Sequence, residues 1–155
     1  MKKKVIGMIP SRMNSTRFPG KALALILGKP MIYWVYKSAS KVKKLDEIFV
    51  ATSDKEIEEC CNKYNITCIC NETNETTAAQ KIAIESDNLD GDIYINIQGD
   101  EPLIDPGAIE SIIDVMLNDE SLEYVGLKSK ITNEEEFYDR NVVKVVVDNN
   151  NFAMY

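Results

Sequence analysis

Val5-Ile6-Gly7-Met8-Ile9 runs straight into Pro10-Ser11-Arg12-Met13-Asn14-Ser15-Thr16-Arg17-Phe18-Pro19-Gly20-Lys21, and this junction decides the fold. Five residues without a polar side chain read as a strand buried on both faces, as in a parallel sheet covered by helices. The stretch behind it gathers three cations, several hydroxyls and a Pro-Gly turn into one loop. Arginine forks can bracket phosphate oxygens, and Lys21 adds a point charge. Pro19-Gly20 turns the backbone sharply enough for its N–H groups to join in. A strand emptying into such a loop is suited to holding a polyanion.

Outward from that junction, strand and helix signals alternate. Ile32, Val35, Tyr36, Ala39 and Val42 recur at helical spacing and predict a helix over 30–43. Residues 47–52 (EIFVAT) read as a second strand, and Ser53-Asp54 as the cap of a helix running to Tyr64. Strands are expected at 66–70 and 92–97, with a helix at 76–86 between them. Asp105-Pro106 opens a further helix, Asp105 as cap and Pro106 at its first position. Later strands are expected at 123–130 and 142–147. This order predicts an α/β fold, a helix–sheet–helix sandwich around a mainly parallel sheet, as a single domain over 1–155. The run 142–147, the turn at 149–151 and Phe152-Ala153-Met154-Tyr155 resemble a hairpin with a shortened second strand. A C-terminal portion is therefore expected beyond Tyr155.

Apolar content of 45% and charged content of 28% are those of a soluble globular protein. A net charge of −7 argues against nucleic acid or an anionic membrane as a general partner, since either needs a basic face. The anionic ligand is expected to be met locally, by the loop. No apolar run approaches the ~20 residues of a membrane span. The basic start Met1-Lys2-Lys3-Lys4 is followed by too few apolar residues for a signal peptide. The cytoplasm is the expected compartment. Cys60, Cys61, Cys68 and Cys70 lack zinc-ribbon spacing and read as plain thiols of a reducing compartment. Histidine is absent, so any metal here must be a hard ion held by carboxylates.

A second constellation, Asn96-Ile97-Gln98-Gly99-Asp100-Glu101-Pro102-Leu103-Ile104, stands at the carboxyl end of the fourth strand. Ligands of open α/β sheets gather at that edge. A carboxylate there suits Mg²⁺, which takes one or two carboxylates plus substrate phosphate oxygens, and Gly99 permits close backbone approach to a ligand. No GxxxxGK[ST] and no GxGxxG occurs, so neither a P-loop nor a dinucleotide fingerprint is present. Basic loop and strand-end acid together point to a nucleoside triphosphate with its metal. Trp34 and Tyr36 read as core rather than base-stacking residues. Glu134-Glu135-Glu136 reads as a helix start capped by Asn133, and Lys41, Lys43 and Lys44 as a helix C-terminus favoured by the dipole.

The segments IPSRMNSTRFPGKAL, GKPMI, IFVATSD, NIQGDEPLIDP and NVVKVVVDNNNFAMY resemble, in order, the 3-deoxy-manno-octulosonate (Kdo) cytidylyltransferases. That resemblance implies a Rossmann-like nucleotidyltransferase sandwich that moves CMP from CTP to the anomeric hydroxyl of Kdo, releasing pyrophosphate, for lipopolysaccharide synthesis. It places Arg12, Lys21 and Asp100 as the catalytic residues. Pro10, Ser11, Arg12, Ser15, Thr16, Arg17, Lys21 and Lys81 would bind nucleotide, Gln98 substrate, and Asp100 Mg²⁺. The implied partners are CTP and an acidic ulosonic sugar, with a homodimer as the full-length assembly. Where the family carries His-x-Ser-Gly-Thr-(acid)-Arg, this chain has Asn74 through Lys81, so a lysine replaces the arginine fork. Two rival readings are a cytidylyltransferase for another acidic sugar (8-amino-Kdo, an acylneuraminate or a spore-coat-polysaccharide type) and a truncated nucleotide-binding module without turnover.

Overall fold

β1 (Val5–Pro10) is paired along both edges. In the computed structural model, which describes residues 2–15, 18–72 and 77–155, β1 lies between β4 (Glu47–Thr52) and β6 (Ile93–Asn96). β5 (Cys68–Cys70) extends the sheet beyond β4, and all three pairings are parallel. The order β5-β4-β1-β6 means the chain builds outward on one side of β1, then returns to its other side. A crevice opens where that reversal occurs, above the carboxyl ends of β1 and β6.

Alternation along the strands separates two cores. Val5 and Ile9 of β1, Val50 of β4 and Ile93, Ile95 and Ile97 at β6 face one layer. That layer is filled by Ile32, Val35 and Ala39 of α1 (Met31–Ala39), Ile57 and Cys61 of α2 (Lys55–Lys63), and Ile109 and Ile113 of α4 (Pro106–Asn118). Ile6, Met8 and Ala51 point the other way, towards Ile82 of α3 (Ala78–Ser86), with Phe49, Leu89 and Tyr94 closing that side. Each fully buried Ile or Met is worth about 1.5–3 kcal/mol. The apolar strand is thus consumed on both faces, and the expected three-layer Rossmann-like α/β sandwich is what these residues form.

Several local expectations hold in detail. Asp105 caps α4 through Gly107 N at 3.0 Å, with Pro106 at the first position. Asn133 caps α5 (Glu134–Tyr138) through Glu136 N at 2.8 Å. All four cysteines are free thiols. Cys61 and Cys68 hydrogen-bond side chain to side chain, which raises the Cys61 thiol and lowers that of Cys68 from the ordinary value.

Others are revised. α1 stops at Ala39 instead of reaching Lys43, because Ser40 Oγ donates to Tyr36 O at 2.7 Å and the chain tightens into i+3 turns. Lys44 is consequently no helix terminus but the ion-pair partner of Asp114 on α4. Trp34 is half-buried at the rim, its indole donating to Ile26 O at 2.7 Å.

The chain divides into two units, Met1–Glu123 and Tyr124–Tyr155. In the second, neither 123–130 nor 142–147 becomes a strand; the one pairing is the bridge Val147–Ala153. Valine-rich segments become strands only where a neighbour supplies a ladder, and within this unit only 152–155 does so. The expected turn is present: Asp148 Oδ1 accepts from Asn150 N and Phe152 N at 2.8 Å each, and Asn151 takes φ 67°.

The hairpin of β2 (Leu25–Ile26) and β3 (Lys29–Pro30) turns through Leu27 and Gly28, both at positive φ (50° and 76°). That is the pattern of a type I′ turn, where Asn-Gly is favoured and leucine is strained. Leu27 is also 89% exposed, so burial offsets none of the strain. Leu27→Asn is expected to stabilise the protein by ~1 kcal/mol, measured as a higher denaturation midpoint at unchanged m-value.

Candidate functional site

The carboxyl ends of β1 and β6 border a cleft of about 440 Å³, within the range of small-molecule sites. Pro10, Ser11, Arg12, Ser15, Lys21, Lys81, Gln98 and Asp100 all line it. Two residues that the resemblance also assigned to nucleotide, Thr16 and Arg17, lie outside the described residues, as do Asn74, Glu75 and Thr76. The basic loop and the strand-end acid, separate in sequence, therefore form one site.

Their join is an ion pair between Lys21 Nζ and Asp100 Oδ2. Lys21 begins the short 3-10 turn Lys21–Leu23 that follows Gly20 at φ 69°. Asp100 keeps nearly half of its side chain exposed and retains acceptor capacity beyond Lys21, since a carboxylate offers about four lone-pair sites. Among the described residues no cluster of three or more acids or cysteines could cage a metal. The donor set fits an ion held by one carboxylate and completed by phosphate oxygens, the usual habit of Mg²⁺.

Hydrogen bonds give the basic loop its shape. Gly20 N donates to Met13 O at 2.9 Å, so the glycine N–H closes the loop on itself instead of facing a ligand. Met13 N donates to Asp54 Oδ2 at 2.7 Å. Asp54 occupies the N-cap position of α2, yet its side chain makes no cap bond; the expected helix cap instead ties the loop to the end of β4. Ser11 N continues the sheet by donating to Ala51 O at 2.9 Å. Ser11 Oγ is buried without a hydrogen-bond partner, beside the cleft, where a ligand donor or oxygen would satisfy it.

Gly99 acts on protein before ligand. A Cβ there would lie 2.7 Å from Pro10 O and 2.8 Å from Ser11 Oγ, so only glycine lets the β6 end close against the β1 end. The sequence reading reserved that space for a ligand; the Pro10 carbonyl fills it.

Lys81 is 3% exposed. Its ammonium donates to Ser53 Oγ at 3.0 Å and Asn71 O at 2.8 Å, and it pairs with Glu85 at 3.1 Å. Asn71 Nδ2 donates in turn to Glu85 Oε2 at 2.7 Å. This network latches α3 to the ends of β4 and β5, holding Thr77 and Ala78 at the cleft wall. Thr77 and Gln80 complete a reciprocal capping box at the start of α3. Sequence reasoning missed Asn14, Ser53, Asp54, Thr77 and Ala78 as cleft residues. Thr77-x-x-Gln80 was a visible capping signal; nothing local marked the others.

Two outcomes follow from this geometry. Gly99→Ala is expected to cost about 1–3 kcal/mol by overpacking against backbone, read as a lower denaturation midpoint. Lys81→Met leaves the Glu85 carboxylate buried and unpaired, costing about 3–5 kcal/mol. The double change Lys81→Met/Glu85→Leu is expected to recover part of that loss in the same denaturation assay, since the buried charge is gone while Asn71 and Ser53 still lose their partners.

Comparison with known proteins bears on this site. The cytidylyltransferase family profile matches residues 6–155. A 3-deoxy-manno-octulosonate cytidylyltransferase of Trichlorobacter lovleyi is 41% identical over 151 residues, 97% of this chain and 60% of the relative. The one from Fusobacterium nucleatum is 41% identical over 153 residues, 98% and 62% of the two chains. Among solved structures, a CMP:2-keto-3-deoxy-manno-octonic acid synthetase complexed with CTP superposes with TM-score 0.88 at 33% identity, covering 98% of this chain and 63% of that one. The chain thus spans about 60% of the length of these curated relatives. A profile matched over nearly the whole chain, on a fold whose cleft joins the two motifs, places this chain in the cytidylyltransferase family.

Proposed function

We propose that this chain is the nucleotide-binding portion of an enzyme that transfers CMP from CTP to the anomeric hydroxyl of Kdo, releasing pyrophosphate. The observation that carries the reading is the Lys21–Asp100 pair, which joins the basic loop of β1 to the acid beyond β6 at the rim of one cleft. Arg12 and Lys21 would bind the triphosphate and offset charge on the departing pyrophosphate. Thr16 and Arg17 belong to the same loop in this proposal. Asp100 would hold Mg²⁺, which supplies charge neutralisation at the phosphates when bound. Gln98, exposed at the cleft, would contact the substrate. Lys81 would act on the nucleotide side through the wall it supports. A cytoplasmic site of action and a homodimeric full-length protein are part of the same reading. Among the described residues no helix is long and apolar enough to cross a membrane.

The rival reading is nucleotide binding without turnover; this chain covers 60% of the length of the Trichlorobacter lovleyi relative. Calorimetry with CTP and Mg²⁺ separates these readings from failure of both. Saturable binding is expected, weakened by about tenfold or more in Arg12→Ala and in Asp100→Asn, since each removes a charge-assisted contact. Pyrophosphate release on adding Kdo supports the enzyme; binding without release supports the module. No CTP binding at all would sink the nucleotide assignment.

A further inference from the structure

We propose that the tip of the β2–β3 hairpin, with the lysines banked on the aromatic residues behind it, docks on an anionic lipid bilayer. This inference is independent of the nucleotide reading.

The hairpin projects two leucines: Leu25 is 73% exposed and Leu27 89%. Leu27 holds a left-handed backbone (φ 50°) that disfavours it. An aliphatic side chain kept both strained and solvated is a mark of function before stability. The tip is anchored from behind by Trp34, whose indole donates to Ile26 O. Tyr33 meets Trp34 edge to face at 5.2 Å and Tyr64 at 5.4 Å, so three rings form one continuous bank.

Lysines cover that bank. Lys29 Nζ sits 4.8 Å from the Tyr64 centroid, Lys37 5.2 Å from Trp34, and Lys63 5.7 Å from Tyr64. Among the described residues no carboxylate pairs with any of the three. The chain as a whole carries −7, and the fold has nevertheless banked three lysines on the rings behind an apolar tip. Net charge is a global sum; docking is decided by the local field.

The occupant follows from these contacts. Nucleic acid needs bare ring faces for base stacking, and here ammonium groups sit over them. A second copy docked by a two-fold axis would set this lysine patch against itself. Projecting leucines need an apolar phase to enter, rings of this type settle at the headgroup level, and lysine stems let ammonium groups reach lipid phosphates. An anionic bilayer provides all three.

Trp34 is the single tryptophan of the chain, so its fluorescence reports on the patch alone. The protein would be mixed at low salt with vesicles of phosphatidylcholine, or of phosphatidylcholine with phosphatidylglycerol, and followed by flotation and Trp34 emission. Flotation and a blue shift are expected only with the anionic vesicles and should be reversed by salt. Leu27→Asn, a variant expected to be more stable, should weaken binding by about tenfold. Lys37→Glu or Lys63→Glu should each weaken it by about fivefold or more. The proposal is overturned by absence of binding to anionic vesicles, or by binding that Leu27→Asn leaves unchanged. It is equally overturned if the tip instead mediates self-association or capture of an acidic peptide without vesicle binding.

Discussion

β1 is the strand on which the other elements depend: it is hydrogen-bonded on both edges and packed on both faces. Such a strand has no freedom in position, so the loop leaving it starts from a fixed point. Its last residue, Pro10, offers a carbonyl that the β6 end approaches so closely that only glycine fits at position 99. That contact closes the β6 end on the β1 end beside the cleft. Asp100 is then delivered next to Lys21, and the ion pair spans the gap between two segments far apart in the chain.

Around this centre the strand ends are tied by side chains instead of more sheet. Asp54 holds the basic loop to the end of β4 through Met13 N. Ser53, beside it, receives Lys81 from α3, and Lys81 also reaches Asn71 beyond β5. One line of hydrogen bonds thus passes from the β1 loop across β4 and β5 to α3. A buried ion pair is weak evidence of added stability but strongly resists loss of one partner, which suits a latch better than a contact residue. Position 81 illustrates the point: the fold spends the lysine's ammonium within the wall of the cleft.

Legibility in the sequence varied with the range of the interaction concerned. The parallel sheet was visible because burial on both faces demands an unbroken apolar run, and Val5 to Ile9 supplies one. The caps at Asp105 and Asn133 were visible because a cap bond spans only two or three residues. The strands expected at 123–130 and 142–147 were misjudged because β-propensity has no local partner; a valine run is extended only where another backbone completes its ladder. Asp54 was misjudged for a related reason. Its position said cap, but a loop 41 residues earlier offered its carboxylate a half-buried N–H.

By itself the sequence determined the α/β class, the alternation of the four sheet strands with the helices in Met1–Glu123 though not the β2–β3 hairpin, and the two motifs that meet in the cleft, because periodicity, turn chemistry and charge are written in consecutive residues. Only the tertiary structure decided that Gly99 serves Pro10, that Lys81 braces the cleft wall, and that Leu27 and three lysines share one surface. Those outcomes depend on distances between residues far apart in the chain, and a linear pattern carries no record of them. The net charge of −7 shows the division most clearly: the sum is read from composition, while the gathering of Lys29, Lys37 and Lys63 on one bank of rings exists only after folding.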